Sequence, residues 1–153
     1  MYVELHSASG FSFLEGASDP EDLVGTAASL GHAALALCDR DSVSGAPRFF
    51  QAARKAGIRA LVGCEISLDQ PHIKRGTPNA VLNRRLTVLV ANRVGYRNLC
   101  RLMTRINLRS PKGEGRARWE DIEEYASGLV ALLHDLRDAV SYTHLTLPTK
   151  RIV

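Results

Sequence analysis

Apolar positions fall into short continuous runs separated by stretches with helical spacing. Continuous runs of this length, bounded by turn residues, predict strands buried on both faces. The predicted strands are residues 2–6, 33–38, 58–66, 86–90 and 129–133. Four helices are predicted. The first begins at Asp19-Pro20 and ends before Gly31, and the other three span residues 46–56, 95–108 and 119–125. Strands that alternate with helices predict an α/β domain with parallel strands and crossover helices.

The last segment of the chain continues neither period. The pattern breaks at about Asp135, residues 141–149 are rich in threonine, and residues 140–153 resemble translated sequencing-adapter sequence on a truncated reading frame. We therefore expect one domain over residues 2–134 and a non-native tail over residues 135–153. The polar stretch 69–83, which contains two prolines, is predicted to be a loop.

Composition narrows the class of protein. No run approaches the roughly 20 apolar residues that span a bilayer, and the first residues lack a basic and apolar leader. We therefore expect a cytoplasmic protein without membrane contact. The three cysteines, Cys38, Cys64 and Cys100, are an odd number without close spacing, so they indicate neither a disulfide framework nor a zinc motif. Cys38 and Cys64 lie in apolar runs and are expected to be buried.

The net charge of +4 is unevenly distributed. Between His72 and Arg118 basic residues dominate, and Glu114 is the only acid. Arginines recur every four residues on the predicted third helix, at Arg93, Arg97, Arg101, Arg105 and Arg109. Such a row can clamp nucleic-acid phosphates, and Arg97, Arg101 and Arg105 are the candidate binding residues. A solvated helix face, or pairing with carboxylates elsewhere, would produce the same pattern.

Polar residues end three predicted strands. His6, Asp39 and Glu65 occupy these positions, and Glu15 follows in the loop after the first strand. Sites in parallel α/β proteins form at the C-terminal ends of strands. Histidine combined with carboxylates suits zinc, manganese or iron. Strand-end acids also cap helices and anchor loops, so spacing alone leaves both interpretations open.

Local sequences resemble a known family. Residues 2–6 and 11–16 resemble the first motif of PHP domains, a strand, His-x-His, and an aromatic and serine run ending in Asp-Gly. Residues 34–41 resemble the second motif, an apolar strand ending in Thr-Asp-His-Asp. Residues 45–65 and 95–102 resemble further segments of DNA polymerase III alpha chains. From about Tyr2 to Leu133 the chain therefore resembles the N-terminal PHP domain of that polymerase family, and the error-prone branch is favoured.

The resemblance implies a fold and a site. The fold would be part of a distorted (β/α)7 TIM-like barrel, whose intact members bind up to three metal ions. Some members hydrolyse phosphoesters or proofread 3′ ends, and others are inert scaffolds. Matched position by position, the metal ligands would be His6, Glu15, Asp39 and Glu65. The implied partners are the remainder of a DNA-directed DNA polymerase chain and, through it, DNA.

Two departures from the motifs weaken the implied metal site. The second histidine of motif one is replaced by Ala8, and the histidine of motif two by Arg40. Alanine has no donor atom, and a guanidinium has no lone pair for a cation. We therefore expect weakly bound zinc or manganese, or no metal, and a mainly structural role in replication or translesion repair. Arg40 is hypothesised to replace the metal as a cation beside Glu15, Asp39 or Glu65.

Two other functions remain open from the sequence. One is a metal-dependent phosphoesterase of the free-standing PHP type, which Ala8 and Arg40 disfavour. The other is nucleic-acid binding through the Arg93–Arg109 row. The residues of a polymerase active site are not expected within this chain.

Overall fold

The computed structural model describes residues 2–69 and 85–132. The strands are β1 (Glu4–Ser7), β2 (Ala34–Arg40), β3 (Arg59–Ser67), β4 (Arg85–Val90) and β5 (Leu129–Leu132). The helices are α1 (Pro20–Ser29), α2 (Ala46–Ala56), α3 (Arg93–Arg109) and α4 (Trp119–Tyr125). Each predicted element in the described ranges is present, with described boundaries shifted by at most two residues. The predicted loop 69–83 and the predicted tail 135–153 lie almost entirely outside the described residues.

The five strands form one sheet in the order β1-β2-β3-β4-β5. β1 and β3 run parallel to β2, whereas β4 is antiparallel to both β3 and β5. The prediction of an all-parallel sheet is therefore wrong for the second half, and the fold is mixed α/β. A buried apolar run reads the same in either direction, so burial does not encode strand direction. One signal was available, because a parallel connection normally needs a helix and none was predicted between β3 and β4.

Two clusters of buried apolar side chains lie along one face of the sheet. One cluster packs α1 and α2 on β2 around Phe49 and Leu37, and a second packs α3 and α4 on β3 and β4 around Leu99 and Ile66. Strand register places both clusters on the same face, because Leu37 pairs with Val62 and Ile66 pairs with Leu86.

Two of the three cysteines are buried. The prediction that Cys38 and Cys64 are buried is confirmed, and burial raises the pKa of the Cys38 thiol to about 12. Among the helices of residues 2–69 and 85–132, none is long and apolar enough to cross a membrane.

Candidate functional site

Strand register brings three charged residues to the face of the sheet opposite the core clusters. Arg40 at the end of β2 pairs with Glu65 on β3, and Ser67 pairs with Arg85 at the start of β4. Arg85 is therefore the diagonal neighbour of Glu65, a separation that long side chains can bridge. Because side chains alternate between faces, Asp39, which pairs with Cys64, belongs to the other face.

The Arg85 guanidinium lies between two carboxylates. Its Nη1 donates to Glu15 Oε2 at 3.0 Å and to Glu65 Oε2 at 2.9 Å, and its Nη2 donates to Glu15 Oε1 at 2.7 Å. These hydrogen bonds to Arg85 hold the pKa of the Glu15 carboxyl below its usual value. Sequence analysis missed Arg85. The signal was a basic residue directly before the predicted fourth strand, and its closeness to Glu65 becomes visible only once the register is known.

Arg40 and His6 complete this group. The Arg40 guanidinium donates to Glu15 Oε1, and it approaches the Phe13 carbonyl at 3.4 Å. His6 Nε2 lies 3.3 Å from the remaining Glu65 oxygen, Oε1. We call these five residues, His6, Glu15, Arg40, Glu65 and Arg85, the carboxylate–guanidinium cluster. The contact that the Arg40 hypothesis requires is thus present, while the role of Arg40 as a replacement cation remains a proposal.

Asp39 does not join the cluster. It is 2% exposed, and its carboxylate accepts hydrogen bonds from the Ser9 backbone N–H at 2.7 Å and from the Ser12 hydroxyl at 2.8 Å. The Ser9 hydroxyl lies within 3.0 Å of both carboxylate oxygens. Asp39 therefore anchors the loop after β1. Sequence analysis also missed Ser9 and Ser12, although two hydroxyls in a loop next to a strand-end acid are typical of such an anchor.

The cluster does not fit a divalent metal ion. All four oxygens of Glu15 and Glu65 already contact His6, Arg40 or Arg85, and the Asp39 oxygens bind the loop. Within residues 2–69 and 85–132, no three histidine, cysteine, aspartate or glutamate side chains are grouped so that they could hold a metal ion. A metal ion would have to displace two guanidinium groups, which are positively charged as it is.

The arginine row on α3 divides into two parts. Arg109 forms a two-pronged pair with Asp121 of α4, at 3.0 and 2.7 Å, and this contact lowers the pKa of the Asp121 carboxyl. Arg105 donates to Glu124 at 2.5 Å. Arg97 and Arg101 are exposed and pair with no carboxylate among the residues the structure describes. Arg105, a candidate for binding nucleic acid, is thus already engaged within the domain.

Helix geometry explains the division. Four residues advance an α-helix by slightly more than one turn, so each successive arginine is rotated by about 40°. The row starts on the side of α3 that faces away from the sheet and drifts toward α4, where Asp121 and Glu124 meet its last two members. Of the five arginines in the row, the first three form an exposed basic surface without a carboxylate partner among the described residues. These are Arg93, Arg97 and Arg101.

Two solved structures show limited likeness to the fold. An amidohydrolase from Chromobacterium violaceum, with bound sulfate and no metal, shares 23% identity and a TM-score of 0.48 over 69% of this chain and 33% of its own. A putative metal-dependent phosphoesterase from Bifidobacterium adolescentis shares 18% identity and a TM-score of 0.45 over 69% of this chain and 32% of its own. At these scores neither likeness bears on the chemistry of the cluster.

Sequence relatives are more informative. Error-prone DNA polymerase of Pseudomonas aeruginosa is 40% identical over 131 residues, covering 86% of this chain and 12% of the relative. Error-prone DNA polymerase of Rhodopirellula baltica is 38% identical over 130 residues, covering 85% of this chain and 10% of the relative. Error-prone DNA polymerase 1 of Agrobacterium fabrum is 39% identical over 140 residues, covering 90% and 12%. The chain thus spans about a tenth of the length of these relatives.

A family-level match agrees with these relatives. The sequence profile of the PHP domain matches residues 4–150. This match extends into the segment 135–153 that we interpret as a tail, and the boundary of that tail remains a prediction. Since the profile spans nearly all of the 153 residues, the chain belongs to the PHP domain family and is homologous to the PHP region of error-prone DNA polymerases.

Proposed function

We propose that this chain is the N-terminal PHP module of an error-prone-type polymerase of the DNA polymerase III alpha family, with a structural rather than a hydrolytic role. Its partners are then the remainder of the polymerase chain and, through it, DNA during replication or translesion repair in the cytoplasm. The observation that supports this proposal is the engagement of Glu15 and Glu65 by Arg40 and Arg85.

The engaged carboxylates argue against hydrolysis on chemical grounds. Metal-assisted hydrolysis needs a fixed metal with an open position for a water molecule. Here every oxygen of Glu15 and Glu65 already contacts His6, Arg40 or Arg85, and Arg40 stands where the motif has a histidine. The competing function, a free-standing PHP phosphoesterase, therefore lacks the donor set on which its chemistry depends.

We expect the purified 153-residue chain to bind manganese and zinc only substoichiometrically and to hydrolyse no bis(p-nitrophenyl) phosphate in their presence. The physical reason is that two permanent cations already neutralise the ligands. Metal content after dialysis and the rate of nitrophenol release measure both points. The Glu65→Gln variant is the matched control, since it keeps the shape of the side chain and removes its charge. Stoichiometric metal, together with turnover that Glu65→Gln abolishes, would refute the structural role.

The parent protein can be tested separately. The genomic sequence past Leu133 should continue in frame into a polymerase core. A stop codon directly after the domain in the intact genomic locus would instead support a free-standing protein.

A second candidate function is contact with the nucleic-acid backbone. It is favoured by one observation, the exposed and unpaired arginines in the first part of α3. If Arg97 and Arg101 each neutralise a phosphate, replacing both by alanine should reduce the slope of log binding constant against log salt by about two. Fluorescence anisotropy with a labelled duplex measures the slope. The matched control is Arg54→Ala with Arg59→Ala, which removes two exposed arginines elsewhere. An equal change in both double variants would mean that only net charge matters.

A further inference from the structure

We infer that Arg85 and Arg40 together form a permanent cationic cross-link that holds the carboxylate cluster in place of a metal ion. This inference rests on the proposed function, because it assigns a task to a site that no longer catalyses. Arg85 is the central member, since among the described residues its guanidinium is the one that contacts both Glu15 and Glu65.

The cross-link joins four separate parts of the chain. Glu15 comes from the loop after β1, Arg40 from the end of β2, Glu65 from β3 and Arg85 from the start of β4. A bound metal joins chain segments in the same manner, by drawing several carboxylates to one centre. A guanidinium can substitute for it because its planar fork presents several donors in fixed directions.

The two carboxylates and the two guanidiniums of the cluster carry equal and opposite charges. Two carboxylates close together repel each other and need a counter-charge. Two guanidiniums supply it and, unlike a metal, cannot be removed by a chelator or lost at low metal concentration. The stability of the domain should consequently be independent of divalent metal as long as both arginines are present.

The cluster also differs from an ordinary surface ion pair. Arg48 and Glu21 form a two-pronged pair at 2.8 Å, but their side chains are 47% and 45% exposed. In the cluster, the Arg85 and Glu65 side chains are 25% and 15% exposed. Exposed pairs contribute little to stability because solvent screens them and side-chain entropy opposes them. Arg48→Ala is therefore a matched control that removes the same type of contact from a more exposed place.

The test compares the 153-residue chain with its Arg85→Ala, Arg40→Ala and double variants. Each is melted in EDTA and in Mn²⁺, and Mn²⁺ affinity is measured by calorimetry. We expect the unmodified chain and Arg48→Ala to melt at the same temperature in both conditions. The double variant should melt at a lower temperature in EDTA, regain part of the loss in Mn²⁺, and bind Mn²⁺ at least about tenfold more tightly than the unmodified chain.

Two results would overturn the inference. One is a double variant that melts like the unmodified chain in EDTA, and the other is a double variant whose Mn²⁺ affinity is unchanged. If the double variant does not fold in either condition, the melting temperature of Arg85→Lys tests the inference instead. It keeps the charge without the fork, so it should melt below the unmodified chain, and equal melting temperatures would count against the cross-link.

Failure of the inference is distinguishable from failure of the proposed function. Metal-dependent hydrolysis by the unmodified chain would refute the proposed function. An unmodified chain that is inert and metal-free, combined with arginine variants of unchanged stability and metal affinity, would refute only the cross-link.

Discussion

Replacing Gly95 by alanine should destabilise the domain by about 3 kcal/mol, the upper part of the range for overpacking a tightly packed site. A Cβ atom at Gly95 would lie 1.9 Å from the Gly128 carbonyl oxygen and 2.5 Å from its carbon. Both are backbone atoms, so no side chain can rotate away. Gly128 cannot easily retreat, because its carbonyl accepts a hydrogen bond from the Ala91 N–H at 2.9 Å and its φ of 78° favours glycine.

A second helical glycine supplies the control for this prediction. Gly25 lies within α1, and a Cβ there would meet nothing within 4 Å. Gly25→Ala should therefore stabilise the domain by about 0.5–1 kcal/mol through higher helix propensity. Equilibrium urea denaturation measures both changes. If Gly95→Ala were as stable as Gly25→Ala, the close approach of α3 to the turn before β5 would be wrong.

The Asp39→Ala substitution should lower the free energy of unfolding by about 3 kcal/mol. The reason is that the buried carboxylate accepts hydrogen bonds from three donors on the loop after β1. Alanine would leave the Ser9 N–H without its acceptor and force the Ser9 and Ser12 hydroxyls to seek others. An unsatisfied buried polar group costs about 1–3 kcal/mol. Loss of the Asp39 anchor should also release Glu15 from the cluster, since Glu15 belongs to the loop that Asp39 holds.

Asp39→Asn separates hydrogen bonding from charge. Its amide oxygen can replace Oδ1, which accepts the hydrogen bonds from Ser9 N–H and the Ser12 hydroxyl, while the amide nitrogen can donate to the Ser9 hydroxyl. The free energy of unfolding should then fall by only about 1 kcal/mol. Urea denaturation of the two variants, side by side, gives the comparison. Equal losses for alanine and asparagine would show that the negative charge, and not the hydrogen bonds, holds the loop.

The elements of this fold were predictable because each signal is local. Asp19-Pro20 marks the start of α1, and Gly31 and Gly57, both in the left-handed region with φ of 74° and 72°, mark the ends of α1 and α2. Strand direction was not predictable from apolar runs, which have no polarity along the chain. The sequence signal for an antiparallel β4 was therefore the missing helix between β3 and β4, and not the apolar run itself.

The candidate site was predictable only where local family motifs indicated its residues. Family motifs indicated His6, Glu15 and Glu65, which do meet. They also indicated Asp39, but β2 continues one residue beyond it, to Arg40. Two adjacent strand residues point to opposite faces, so only one of them could reach Glu65. Arg85 lies outside those motifs. Its contact with Glu65 depends on the register between β3 and β4, which the sequence does not reveal.

The arrangement around Arg85 has an evolutionary consequence. Restoring the motif histidine at position 40 alone would leave Glu15 and Glu65 still bound to Arg85. Losing Arg85 alone would leave two carboxylates with one remaining guanidinium and no complete ligand set. If the two arginines replace a metal ion as proposed, each single substitution toward a metal centre passes through a less stable intermediate.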